Sequence, residues 1–322
     1  MGMKRMGRIA AFMLLCAVLL AAPWAMKHAA VDVREHIRPK ETRWQGVISV
    51  GIVPTFSMES ADGWLKTCAK TFAQENSNLL VSVREMTRAG VQAGAAAQTL
   101  PDVLICGAMV FDGSEKELIF GKGTAQPVAA GAYALLGNRA LLEESGWQEN
   151  MSAGDALTLV QKGQLNIAVP RRDYADPLAA LRSMGTVGDA VGQDLYARVW
   201  PDFALEEKYA LYVATQREVL RMRALQSAGR GFETVLIVPE DPTGEDQTLL
   251  CAAVRHELTA RQDDAACAEW AMRWMNYLTA DAQQAGLGTA GLFSVKGNAG
   301  LYEEGHPLHS IEELLQPIGP FA

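Results

Sequence analysis

A short apolar run near residue 50 constrains the fold of this chain more than any other feature. Val47–Val53 reads VISVGIV, which is rich in β-branched residues and lacks the alternation of a half-exposed strand. Such a run is typical of a strand covered on both faces in a parallel sheet. After a turn, Trp64, Cys68 and Phe72 recur at four-residue spacing and predict an amphipathic helix that ends near Asn76. The two elements form the start of a βαβ unit.

The same alternation continues along the chain. Further strands are predicted at Leu79–Val83 and Val103–Cys106, with a helix at Val91–Leu100 between them. Strands and helices that alternate in units of about 30 residues indicate right-handed crossovers and an α/β fold built on a doubly wound sheet. Ligands of such sheets bind beyond the carboxyl ends of the strands. We therefore expect binding residues within Thr55–Met58 and Gly107–Val110.

The first 26 residues are typical of an export segment. Three basic residues precede the uninterrupted apolar run Ile9–Ala22, as in a secretory signal. Ile9–Met26 is also about the minimum length for a membrane span, so a cleaved signal and a retained membrane anchor both stay open. Residues 27–43 are charged and aperiodic, and we interpret them as a linker to an exported, extracellular or periplasmic body.

The charge balance excludes several classes of partner. The chain holds 29 Lys and Arg against 37 Asp and Glu, and residues 1–43 contain eight of the basic residues but only three of the acidic ones, so the body is more acidic than the whole chain. A body this acidic is poorly suited to nucleic acid or to peripheral docking on anionic lipid, because both need clustered cations. The sequence also has no G-x-S-x-G, H-E-x-x-H, P-loop or G-x-G-x-x-G motif, and its five His are scattered. We predict no covalent catalysis, no metal and no cofactor.

Four cysteines remain in the body: Cys68, Cys106, Cys251 and Cys267. An even number in an exported chain permits disulfides, but the spacings match no zinc pattern and each residue lies in a predicted apolar element. We favour buried free thiols and leave disulfide pairing open.

Several short motifs follow one another in a recognisable order. They are FAQEN at 72–76, VSV at 81–83, LPDV at 100–103, AYALLGN at 132–138, LLEESGW at 141–147, AEW at 268–270, YLTADAQ at 277–283 and GLF at 291–293. Together with the leader and the first strand, this order resembles the extracellular solute-binding proteins of bacterial ABC importers, over roughly residues 44–300.

The resemblance implies a two-lobed type II periplasmic-binding fold, in which each lobe is a doubly wound sheet flanked by helices. The first lobe would comprise 44–127 and 252–290, and the second 128–251 and 291–322. The implied function is capture of a small polar solute for ABC permease subunits. An uncleaved leader would instead fit a membrane-anchored sensor or scaffold subunit that has the same fold and no transport role.

The candidate solute contacts of the first lobe lie in two places. Phe56, Ser57 and Trp64 belong to the first βα turn, and Cys106 and Gly107 end the third strand. Trp64 also starts a helix whose apolar face must be buried, so packing is an equal alternative for it. Phe56 lies in the loop before that helix and not on the apolar face of the helix, so packing of the helix does not explain the position of Phe56.

The candidates of the second lobe are Asp173, Tyr174 and Trp200. Asp173 and Tyr174 follow a predicted strand, and a carboxylate beside an aromatic ring can bind sugar hydroxyls while the ring stacks on a pyranose. The alternative is a surface turn with an ion pair. Trp200 precedes Pro201 and is predicted to lie in a loop. We favour a carbohydrate solute, and the neighbouring Arg171 and Arg172 keep an acidic sugar open.

Overall fold

The computed structural model describes residues 45–55, 58–121, 125–188, 191–260 and 265–319. The chain divides into the segment Met1–Gln45 and the compact unit Gly46–Ala322, and all elements below belong to the second. The leader, the linker, Phe56 and Ser57 lie outside the described residues.

The described residues form ten strands and eleven helices. The strands are β1 Gly46–Val53, β2 Leu79–Glu85, β3 Val103–Gly107, β4 Gln126–Ala130, β5 Tyr133–Asn138, β6 Ile167–Arg171, β7 Gln193–Leu195, β8 Leu211–Thr215, β9 Thr234–Ile237 and β10 Thr248–Ala253. The helices are α1 Ala61–Glu75, α2 Arg88–Ala97, α3 Gly113–Phe120, α4 Arg139–Glu144, α5 Ala153–Gln161, α6 Pro177–Met184, α7 Tyr196–Ala204, α8 Gln216–Ser227, α9 Ala265–Leu278, α10 Asp281–Ala285 and α11 His309–Glu312.

The first sheet has the strand order β2-β1-β3-β10-β4. Strand β1 runs parallel to both neighbours, so that Val50 pairs with Val83 on one side and with Val103 on the other. Strand β10 runs antiparallel to β3 and to β4. Every residue of β3 is buried, as the continuous apolar pattern of a covered strand predicts.

The second sheet has the order β7-β6-β8-β5-β9. Strands β7, β6 and β8 are parallel, whereas β5 runs antiparallel to β8 and β9. The predicted two-lobed α/β architecture is confirmed, with one sheet in each lobe. Both sheets are mixed because strands from distant parts of the chain enter them in the opposite direction.

The chain passes from the first sheet to the second between Ala130 and Tyr133 and returns between Ile237 and Thr248. Strands β4 and β10 therefore lie whole in the first sheet and extend beyond the predicted lobe boundaries at 127 and 252. The C-terminal residues pack into the core of the second lobe, where Tyr302, Leu308, Ile311 and Leu315 join the cluster that contains Tyr212.

Two expectations about packing have different outcomes. The four body cysteines are buried free thiols, as favoured from the sequence. The loop predicted around Trp200 is wrong, because Trp200 and Pro201 both lie inside α7. Proline removes one helical hydrogen bond, but Val199 and Phe203 of the same helix are buried in the core of the second lobe. Tertiary packing thus keeps the chain helical on both sides of the proline.

Candidate functional site

The carboxyl ends of the parallel strands of both sheets face each other. Glu59, in the turn after β1, forms an ion pair with Arg217 at the start of α8, and the Oε2–Nη2 distance is 2.7 Å. Because α8 follows β8 directly, this contact joins the strand ends of the first lobe to those of the second. The facing edges define a cleft between the lobes, where ligands of open α/β sheets bind.

Tyr174 crosses this cleft. It follows β6 of the second lobe, yet its half-buried ring packs against the core cluster of the first lobe that contains Cys106, Val110 and Phe111. Its φ is +58°, a left-handed conformation that costs a non-glycine residue free energy and that clusters at functional sites. Tyr174 is therefore an aromatic side chain held at the meeting point of the two lobes.

A buried polar network lies where the chain crosses between the two lobes. The hydroxyl of Tyr133 donates to Asp246 Oδ2, which also accepts from the backbone N–H of Asp176 at 3.0 Å. The side-chain amide of Gln247 donates to the Tyr133 hydroxyl and to Asp246 Oδ2, each at 3.1 Å. Burial and the Asp246 carboxylate hold the pKa of Tyr133 well above its ordinary value. The network ties the first chain crossing to the second.

Arg172 is the cation nearest to Tyr174 in sequence, but its side chain is buried in an ion pair inside the second lobe. Its Nη2 lies 2.9 Å from Glu218 Oε2, and the two side chains are 2% and 0% exposed. Glu218 also accepts from the backbone N–H and hydroxyl of Thr215, and the guanidinium covers the ring of Tyr196. A charge neutralised in this way is poorly placed to attract an acidic sugar, whereas Arg171 is exposed.

The wall of the first lobe contains a close contact between Thr55 and Gly107. A Cβ placed on Gly107 would lie 2.3 Å from Thr55 Cγ2, so this approach requires glycine. Thr55 is 4% exposed, and its hydroxyl has no hydrogen-bond partner among the described residues. A buried polar atom without a partner needs an explanation, and at the carboxyl end of β1 a solute hydroxyl would satisfy it. The sequence analysis included Thr55 in the candidate segment Thr55–Met58, but nothing in its residue type singled it out as a binding residue.

The other candidates occupy different environments. Trp64 is buried, and its indole N–H donates to the carbonyl oxygen of Gln283 at 3.0 Å. Cys106 is buried in the core of the first lobe, and burial raises the pKa of its thiol to about 12. Trp200 packs against aromatic rings of its own lobe. Asp173 is exposed beside Tyr174. The structure thus brings Gly107, Asp173 and Tyr174 to the cleft edges, while the ligand role of every candidate stays a prediction.

A cavity of about 330 Å³ lies between the lobes beside the ion pair of Glu59 and Arg217. Arg221 lines it one helical turn beyond Arg217, and Ser60 and Gly291 complete the opposite wall. Within the described ranges, no three His, Cys, Asp or Glu side chains converge on a metal position. No helix in that part of the chain combines the length and apolar character needed to cross a bilayer.

No protein-family model matches the sequence, and no curated protein does so either. Solved structures do match. A putative oligosaccharide periplasmic-binding protein from Synechococcus sp. MITs9220 has a TM-score of 0.57 at 13% identity, with 83% of this chain and 84% of that chain covered. The cyclic alpha-maltosyl-1,6-maltose binding protein from Arthrobacter globiformis has a TM-score of 0.54 at 15% identity, with 84% and 87% covered.

MalE3 of T. maritima, solved with maltose bound, has a TM-score of 0.53 at 15% identity, with 86% of this chain and 90% of that chain covered. At such identities the likeness is one of fold. The chain has the two-lobed periplasmic-binding fold of these structures, as the order of the sequence motifs indicated.

Proposed function

We propose that this protein binds a small carbohydrate between its lobes, without covalent chemistry, and delivers it to an ABC importer. The observation that carries the proposal is Tyr174, whose ring extends from the strand ends of the second lobe onto the first. A ring at this place can stack on the apolar face of a pyranose and can respond to closure of the lobes.

The polar groups at the edges of the cleft fit a hydroxylated solute. Asp173 supplies a carboxylate acceptor, and the buried hydroxyl of Thr55 supplies a group that can both donate and accept. Arg172 is already neutralised by Glu218, Arg217 is paired with Glu59, and Arg221 donates to the hydroxyl of Tyr196, which favours a neutral sugar over an acidic one. The sugar ligands of the similar A. globiformis and T. maritima proteins support the same class.

The N-terminal leader is the basis for proposing export and delivery to a permease at the membrane. We propose that residues 1–26 direct the chain out of the cytoplasm and that the body then meets permease subunits outside. Sequencing the N-terminus of the protein recovered from the cell surface tests cleavage, and retention of Met1 together with membrane fractionation would identify an anchored form.

A thermal-shift screen tests the solute class. Neutral sugars, acidic sugars, amino acids and metal ions are added separately to the purified protein, and a ligand at about 100 times its Kd should stabilise the fold by about 2.7 kcal/mol. We expect the neutral sugars to give the shift. Stabilisation by an amino acid or metal ion and by no sugar would contradict the proposed class.

Variants of Tyr174 test the place of binding. Tyr174→Ala should weaken the sugar identified in the screen by about 1–3 kcal/mol, the range found when an aromatic platform loses its ring. Tyr174→Gly removes the same ring and fits the φ of +58°, so it should bind as weakly and unfold at higher urea than Tyr174→Ala. Asp173→Asn preserves the side-chain shape and should cause only a modest loss for a neutral sugar. Unchanged affinity in both Tyr174 variants would remove Tyr174 from the site.

A further inference from the structure

A second cavity, of about 470 Å³, lies in the first lobe. One wall is α1 from Ser60 to Thr71, and the other runs from Tyr277 to Ala290 through α10. Every described residue that lines it belongs to the first lobe, and it adjoins the inter-lobe cavity at Ser60 and Ala290. Its volume falls within the range of small-molecule sites, about 300–1,000 Å³.

The lining of this cavity carries no ionisable acid or base apart from the weakly acidic Tyr277 and Cys68, although one residue in five of the chain is charged. Burial raises the pKa of Cys68 to about 12, so that thiol is neutral as well. A charged ligand would lose water here without gaining a counter-charge, which is unfavourable. The cavity therefore selects for a neutral ligand.

The hydrogen-bonding groups are matched to hydroxyls. Thr67 and Thr71 donate their protons to helix carbonyl oxygens, at 2.9 Å and 3.1 Å, so the lone pairs of their hydroxyl oxygens are left to accept. The Tyr277 hydroxyl is buried and makes no hydrogen bond of good geometry among the described residues, although Gln283 lies close to it. Tyr277 and the amide of Gln283 can donate. A polyol is a ligand that can donate and accept several hydrogen bonds in this way.

The floor of the cavity is apolar. Trp64 and Cys68 are each 5% exposed, and the ring of Tyr277 lies against Phe72 and Trp274 behind it. An apolar floor beneath a set of hydroxyl and amide groups suits a molecule with one C–H face and a polar rim, as in a pyranose. This arrangement also accounts for Trp64, which the sequence singled out and which lies outside the cleft.

We propose that this cavity is a second binding site, for a neutral sugar, separate from the cleft marked by Tyr174. Its occupant would contact Thr67, Thr71, Tyr277 and Gln283 over the floor formed by Trp64 and Cys68. The site depends on the first lobe alone, and so it does not require that the cleft bind the same molecule or that the protein serve a transporter.

Gly63 provides a variant that fills the cavity. It lines the space on the outer side of α1, and a Cβ placed there meets no atom within 4 Å, so Gly63→Met adds a side chain without a clash at its first carbon. Gly113 starts α3, is equally open and lies elsewhere. Gly113→Met is thus the matched control. Tyr277→Phe removes only the hydroxyl and, because that group makes no hydrogen bond of good geometry with the described residues, should change the unfolding midpoint in urea little.

The experiment titrates maltose, sucrose and trehalose, with glucuronate as the charged comparison, by calorimetry on the protein as isolated from the cell. The Tyr174→Ala background weakens sugar binding in the cleft by about 1–3 kcal/mol, so that an effect of Gly63→Met on the binding that remains reports on the first lobe. We expect saturable binding of at least one neutral sugar that Gly63→Met abolishes, that Gly113→Met leaves unchanged and that Tyr277→Phe weakens about threefold to tenfold. Glucuronate should bind at least tenfold more weakly.

Three results would overturn the second site: no saturable binding of any of the three sugars in the Tyr174→Ala background, binding that survives Gly63→Met, or glucuronate affinity equal to that of the sugar. Failure of the cleft proposal has a different signature. In that case Tyr174→Ala changes no affinity in the wild-type background, whereas Gly63→Met still removes the site in the first lobe.

Discussion

Arg217 Nη2 of the second lobe lies 2.7 Å from Glu59 Oε2 of the first, and this ion pair spans the cleft beside the inter-lobe cavity. The Arg217 side chain is 26% exposed and that of Glu59 is 56% exposed, so solvent screens the interaction and its contribution is about 0–1 kcal/mol. A contribution of that size is small for folding, yet it can shift an equilibrium between open and closed lobes severalfold.

Removing this ion pair should open the solute-free protein. We expect Glu59→Gln to increase the radius of gyration measured by X-ray scattering without sugar, and 1 M salt to produce a similar increase in the wild type. The matched control is Glu269→Gln, because Glu269 pairs with Arg273 at 2.6 Å within α9 alone. An equal change in both variants, or in neither, would show that the contact does not hold the lobes together.

Gly107 should tolerate no side chain. The Cβ of alanine would lie 2.3 Å from Thr55 Cγ2, and because Thr55 is buried, the overlap must displace the strand end or the threonine. We expect Gly107→Ala to lower the free energy of unfolding by about 1–3 kcal/mol and to weaken sugar binding in the cleft. Gly113→Ala, where a Cβ meets no atom within 4 Å, should change stability by less than about 1 kcal/mol. Urea denaturation of both variants measures the difference.

The strands and the main helices were predictable because their signals are local. The run Val47–Val53 and the four-residue spacing of Trp64, Cys68 and Phe72 specify β1 and the buried face of α1 within a few residues of the observed bounds. Whether a strand runs parallel or antiparallel to its neighbours is not specified by such local signals. The run Thr248–Val254 predicts a strand, and β10 is observed at Thr248–Ala253, but the same apolar pattern suits a parallel and an antiparallel neighbour.

Side-chain roles were less predictable because they depend on partners far along the chain. The indole of Trp64 donates to the carbonyl oxygen of Gln283, 219 positions away, a partner that neither the binding nor the packing interpretation of Trp64 could specify from the sequence. Arg172 was expected as an accessible cation, but it is buried against Glu218 on another element. Trp200 was assigned to a loop on the strength of Pro201, whereas the buried neighbours of α7 determine its conformation.

The pair of Arg172 and Glu218 predicts a large loss of stability when one partner is removed. Both side chains are almost fully buried and their charged atoms lie 2.9 Å apart, so Arg172→Met leaves a buried carboxylate without its counter-charge. We expect a cost of about 3–5 kcal/mol in urea denaturation. Arg171→Met, at the exposed neighbouring position, is the control and should cost less than about 1 kcal/mol.

The double variant Arg172→Met with Glu218→Gln separates charge from packing, because the amide oxygen of glutamine can still accept from the backbone N–H and hydroxyl of Thr215. Because both charges are then absent, most of the stability should return. A double variant as unstable as Arg172→Met alone would mean that the loss arises from shape, for instance from the guanidinium that covers the ring of Tyr196 at 5.1 Å.

His306 makes the stability of the C-terminal residues depend on pH. Its ring stacks on Tyr302 with the centroids 4.6 Å apart, and its Nδ1 accepts from the backbone N–H of Leu308 at 3.2 Å. Partial desolvation of the largely exposed His306 ring lowers its pKa below the ordinary 6.5, against an opposing effect of the Glu312 carboxylate. The folded state therefore favours the neutral ring. Its contribution to stability is fully present above about pH 6.5 and is lost as the pH falls toward the lowered folded pKa, because the unfolded chain then binds the proton more readily.

Replacing His306 with a ring that does not titrate tests this dependence. His306→Phe keeps an aromatic ring beside Tyr302, and its free energy of unfolding should fall less between pH 7.5 and pH 5 than that of the wild type. Carboxylates that titrate in the same range are common to both proteins, so the difference between the two urea-denaturation series isolates His306. Parallel pH profiles would mean that the ring is protonated equally in the folded and unfolded chains, and that its stacking on Tyr302 does not discriminate between the two charge states.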